Sequence, residues 1–80
     1  MKREEILTRL LRIGRQIVPE LGDGEIDTSK SYRDLGISSL DLMEILAAAM
    51  KELKIKIPSA ELSEVTTLNG LADTFVKFSA

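Results

Sequence analysis

Two adjacent hydroxyls, Ser38 and Ser39, follow Asp34-Leu35-Gly36-Ile37 and precede Leu40-Asp41-Leu42-Met43-Glu44. Gly36 gives a turn the freedom to present the next residues outward. From Ser39 onward the apolar residues recur with helical period. A hydroxyl at a helix start lies beside unsatisfied N–H groups and the positive end of the helix dipole, so a phosphate ester is well tolerated there. Covalent modification is thus chemistry the position would accept, although serines also stand at helix starts for capping alone. Little else in the chain is reactive. It has no Cys and no His, which excludes disulfides and protein thiols and removes the commonest general base and metal ligand. The carboxylates are scattered. Asp23-Gly24-Glu25-Ile26-Asp27 lacks the full ligand pattern of a calcium loop and reads as a solvated turn, so no metal site is expected.

Helical elements must position these serines. Ile6, Leu10, Ile13 and Ile17, flanked by Leu7, Leu11 and Val18, predict a helix over about Lys2–Val18, stopped by Pro19. Glu5 and Arg9 can pair at i,i+4 on its outer face, where Arg12 and Arg15 lack an obvious acidic neighbour. Residues 19–37 form a long connection in which Leu21, Ile26, Tyr32, Leu35 and Ile37 are spaced as anchors, so an ordered loop is expected. A second helix should run from Ser39 to Leu53, with Ser38 as N-cap and Asp41 in the first turn. Ile55-Lys56-Ile57-Pro58 is an extended link, Ser59–Glu64 holds one short helix, and Thr66 or Thr67 caps a last helix reaching about Phe78. Gly70 weakens that last helix somewhat. The expected fold is all-α, a single domain over residues 1–80.

On a helical wheel the second helix has a core stripe of Leu42, Ile45, Leu46, Ala49 and Leu53. A second stripe of Leu40, Met43, Ala47 and Met50 lies beside it, with Asp41, Glu44, Lys51 and Glu52 on the remainder. A small bundle needs only the first stripe. Surplus apolar surface beside charges marks a docking site, so Leu40, Asp41, Met43, Glu44, Ala47 and Met50 are the candidate partner-binding residues. The alternative for Ala47 and Met50 is simple packing against the first helix or the loop.

Asp34-Leu35-Gly36-Ile37-Ser38-Ser39-Leu40 resembles the phosphopantetheine attachment pattern Asp-Leu-Gly-x-Asp-Ser-Leu of acyl carrier proteins. Asp41-Leu42-Met43-Glu44-Ile45, Ile55-Lys56-Ile57-Pro58 and Val65-Thr66-Thr67-Leu68 continue that resemblance at matching spacing. It implies a four-helix bundle with a long loop between helices 1 and 2 and a short third helix. It also implies a 4′-phosphopantetheine arm, transferred from coenzyme A to Ser39, whose thiol holds acyl groups as thioesters. Leu46, Ile57, Leu62 and Leu71 are core residues that would also wall a pocket for the cargo. Two positions depart from the pattern. Ser38 replaces the usual acidic residue, which makes it the alternative acceptor. Met50, Lys51, Lys54 and Lys56 stand where the family's second helix usually ends in acids, which implies a specialised bacterial carrier with altered partner choice.

The resemblance implies a non-catalytic monomer that serves fatty acid, lipid or polyketide-type biosynthesis. Its partners would be a phosphopantetheinyl transferase and acyl-transferring or acyl-modifying enzymes. Alternatives are an aminoacyl or peptidyl carrier, and an unmodified carrier-like structural adaptor. Nucleic-acid binding through Arg9, Arg12 and Arg15 is not expected, because the net charge is −2 and no aromatic residue interleaves them. No run approaches membrane-spanning length, no signal peptide is evident, and a cytoplasmic location is expected.

Overall fold

The computed structural model describes residues 1–79. Its first helix, α1, spans Arg3–Ile17 and buries Ile6, Leu10, Ile13 and Gly14 along one face. The apolar period thus predicts the element to within a residue at each end. Lys2 is the N-cap, and the Val18 N–H closes the last turn on the Gly14 carbonyl at 2.8 Å. Pro19 then begins a 3₁₀ turn, Pro19–Leu21, which ends at Gly22 with φ 71° and ψ −172°, a conformation reserved for glycine.

The segment from Gly22 to Ile37 is ordered by what it touches. Tyr32 and Ile37 are buried, while Leu21, Ile26 and Leu35 pack against the core from its edge, as their spacing predicts. Backbone bonds do the rest. The Tyr32 N–H donates to the Thr66 carbonyl at 2.9 Å, and the Asn69 N–H donates to the Thr28 carbonyl at 3.0 Å. The Thr28 hydroxyl also reaches Asn69 Oδ1 at 2.7 Å, and Arg15 Nη2 donates to the Gly24 carbonyl at 2.7 Å. Arg15 therefore serves the loop instead of an acid.

The remaining helices are α2 (Ser39–Leu53), α3 (Ser59–Leu62) and α4 (Leu68–Lys77). Thr67 caps α4, its hydroxyl accepting the Gly70 N–H at 2.9 Å. A Cβ at Gly70 would stand 3.2 Å from that hydroxyl and 3.5 Å from Val65 Cγ1, so the glycine that weakens the helix also leaves room for its cap. α1 packs against both α2 and α4, and α3 leans on α4. Phe75, Ile6, Leu10, Ile45 and Leu71 are the largest fully buried side chains. No strand occurs among the described residues, and none of the described helices is long and apolar enough to cross a membrane.

Candidate functional site

The turn before α2 is built by its own backbone. The Gly36 N–H donates to the Arg33 carbonyl at 3.1 Å and the Ile37 N–H to the Tyr32 carbonyl at 2.9 Å. Gly36 has φ 82° and no atom within 4 Å of where a Cβ would stand, so the backbone conformation alone requires glycine. Ile37 is buried and fixes the direction in which the chain leaves the turn.

The two serines then diverge. Ser38 is the N-cap, and its Oγ accepts the Asp41 N–H at 3.1 Å while Asp41 Oδ2 accepts the Ser38 N–H at 3.4 Å. That reciprocal pair is a capping box with Asp in the third position. Ser39 is the first helical residue. It is exposed, and its hydroxyl enters no hydrogen bond among the described residues. The N–H groups of Ser39 and Leu40, likewise without acceptors within the chain, lie at the positive end of a 15-residue helix.

A groove of about 350 Å³ opens beside Ser39, walled by Tyr32, Ile37, Leu42 and Val65 and bordered by Arg33 and both serines. Burial pushes the Tyr32 phenol up to about 12, so it is a neutral wall at any ordinary pH. The expected cargo walls lie elsewhere. Ile57 and Leu71 are buried in the core, Leu46 and Leu62 are half-buried, and none of the four lines this groove. Sequence reasoning missed Arg33, whose place in the groove depends on how the turn folds back and leaves no sequence signal.

On α2 the proposed stripe is presented unevenly. Leu40 and Met43 are 66% and 65% exposed, Glu44 and Ala47 are exposed, and Asp41 is half-exposed. Met50 is half-buried and packs against the core. Arg12, expected to lack an acidic neighbour, forms an ion pair with Glu52 of α2, which Arg9 also approaches at 3.8 Å while holding Glu5 at 3.1 Å. Glu52 is therefore tied to α1 by two arginines. No group of three or more metal-ligating side chains gathers among the described residues.

A free hydroxyl at the first helical position, unsatisfied N–H groups beside it and an adjoining apolar groove fit a phosphate-linked arm with an apolar end. Such an arm supplies a thiol that this Cys-free chain lacks. Comparison with known proteins agrees. A family described as "Phosphopantetheine attachment site" matches residues 8–75. The polyketide biosynthesis acyl-carrier-protein AcpK of Bacillus subtilis (strain 168) is 30% identical over 73 residues, covering 91% of this chain and 89% of that protein. The acetyl donor carrier solved in complex with the HMG synthase of the curacin biosynthetic pathway superposes with a TM-score of 0.86 at 34% identity, covering 96% of this chain and 99% of that one. The chain belongs to the phosphopantetheine-binding family as an acyl carrier protein, with 4′-phosphopantetheine as its covalent prosthetic group.

Proposed function

We infer that Ser39 is the attachment residue and that the chain shuttles acyl thioesters between enzymes of a polyketide-type pathway without catalysing a step itself. The observation that carries the assignment is the division of labour between the two serines. The Ser38 hydroxyl is spent on the cap, and the Ser39 hydroxyl stands free one residue later. No imidazole lies in the chain to take the Ser39 proton, so the base belongs to a separate phosphopantetheinyl transferase. The unsatisfied N–H groups of the first turn face the incoming phosphate.

The polyketide assignment replaces the fatty-acid alternative because the similar carrier from Bacillus subtilis serves polyketide biosynthesis. By the same reasoning from the curacin complex, an HMG synthase is among the partner enzymes, with acetyl as the cargo. Intact mass after incubation with coenzyme A and a promiscuous transferase tests the attachment. Wild type and Ser38→Ala should each gain one phosphopantetheine, and Ser39→Ala none. Retention of the mass shift by Ser39→Ala would move the arm to another residue.

A further inference from the structure

Arg33 is the one charged side chain among the described residues that line the groove beside Ser39. It is exposed and has no ion-pair partner among the described residues, although Asp34 follows it in the chain. The other arginines are all engaged within the chain. Arg3 pairs with Asp73, Arg9 and Arg12 share Glu52, and Arg15 donates to the Gly24 carbonyl. Arg33 is nevertheless held in place by its backbone. Its carbonyl accepts the Gly36 N–H at 3.1 Å, and Tyr32 before it is buried.

The rest of the groove is graded in polarity. Ile37, Leu42 and Val65 supply apolar wall, while Ser31 and Thr66 each bring a hydroxyl to it. Ser31 Oγ accepts the Asp34 N–H at 3.1 Å, which leaves its own O–H free to donate. At about 350 Å³ the groove is at the small end of ligand-sized clefts. A phosphopantetheine arm presents, in order from its attachment, a phosphodiester, a carbon bearing two methyl groups, a hydroxyl and an amide. A guanidinium suits the first, because its planar fork matches phosphate oxygens. Apolar walls suit the second, and free hydroxyl donors suit the third and fourth. Ser39 itself lines the groove, so the stem of an arm carried there begins at its edge.

Resting on the reading that Ser39 bears the arm, we propose that Arg33 is a positioning residue that pairs with the arm's phosphodiester and seats the dimethyl segment of the stem in this groove. A surface pair of this kind is weak between separate molecules. A short flexible tether, however, supplies an effective concentration on the order of millimolar, which populates even a weak contact. The occupant is the stem and not the cargo. An acyl group lies at the far end of the arm, and an acetyl group offers Arg33 no charge. The enzyme that receives the arm has to break this contact, so Arg33 sets how readily the thiol leaves the carrier.

The test compares arm-free and arm-bearing chains, the latter shown by peptide mass mapping to carry the arm on Ser39, in wild type, Arg33→Ala and Arg33→Lys. In wild type the arm's dimethyl protons should give nuclear Overhauser contacts to the Leu42 and Val65 methyls. Arg33→Ala should weaken them two- to fivefold, with Arg33→Lys between, since it keeps the charge and loses the fork. Attaching the arm should raise the wild-type melting temperature by about 2–4 °C. The gain should be less than half as large in Arg33→Ala and should shrink at 500 mM salt, while the arm-free chains unfold alike. A purely structural arginine would instead shift the arm-free melt. Equal contacts and equal gains in wild type and Arg33→Ala would overturn the proposal. So would the absence of contacts in wild type carrying the arm on Ser39, which would leave the attachment intact. Contacts from the methyl of an acetyl cargo in place of the dimethyl segment would overturn it in favour of a cargo site. An arm mapped to another residue would remove the Ser39 reading and this inference with it.

Discussion

Replacing Ser38 with alanine separates capping from modification. The substitution deletes the 3.1 Å bond from the Asp41 N–H to Ser38 Oγ, and it leaves the longer 3.4 Å bond to the Asp41 carboxylate without its reciprocal partner. Ser38 is exposed and Asp41 half-exposed, so water can reach the freed N–H. The cost is then that of a lost N-cap, about 1 kcal/mol, and not the larger cost of a buried unsatisfied donor. For a domain of this size that lowers the melting temperature by about 4–8 °C. Ser39→Ala removes a hydroxyl without hydrogen bonds from the first helical position and should leave the melt within about 2 °C. Thermal unfolding followed by circular dichroism at 222 nm, with intact mass after transferase treatment, reads both effects. The expected pattern is crossed: Ser38→Ala melts early yet is modified, and Ser39→Ala melts normally yet is not. Unmodified Ser38→Ala that still folds, or a Ser38→Ala melt equal to wild type, would refute the division of roles.

Tyr32 is the chain's one tyrosine and there is no tryptophan, so an absorbance titration at 295 nm reports it alone. Its midpoint should lie near pH 12, where burial has pushed it. Because the folded value exceeds the unfolded value of about 10, the contribution to stability is intact below pH 10 and is lost between pH 10 and 12; a midpoint near 10 in the folded chain would contradict the burial. Gly36→Ala meets no atom but forces φ 82° on a residue with a Cβ, costing about 1–2 kcal/mol. It should lower the melt and slow arm transfer, and an unchanged melt would show that the turn relaxes. Phe75→Ala empties the centre of the core and should cost about 3–5 kcal/mol, enough to lower the melting temperature by about 15 °C or abolish the cooperative transition; calorimetry decides it.

What the sequence made legible was what depends on near neighbours. Ser38, Asp41 and the apolar period that follows lie within a few residues of one another, and α2 has the limits they predict, Ser39–Leu53. The pattern of α1 and the proline after it sufficed in the same way. What escaped depends on distant residues. The partner of Arg12 is Glu52, forty residues away, and a helical wheel does not show which neighbour a charged face will meet. Met50 falls on the second stripe of the wheel, and only the packing of the bundle decides that it is half-buried. The left-handed lysine at position 54 was hidden because nothing but glycine or asparagine announces that conformation. The groove eluded the wheel altogether, since its walls come from the loop, α2 and the segment before α4.

The bonds that tie Thr28 to Asn69 and Tyr32 to Thr66 carry a consequence for the order of assembly. The first joins residues 41 positions apart in the sequence, so this tie on the loop leading to Ser39 forms only once the start of α4 has been synthesised. Contacts of such long range form late, because closing a large loop costs entropy before any bond repays it. A nascent chain lacking α4 can close the local turn at Gly36 and Ile37 and wind α2, yet it lacks the Thr28–Asn69 tie. A transferase that reads only the local turn would accept such a fragment, whereas one that reads the tethered loop would pass over it.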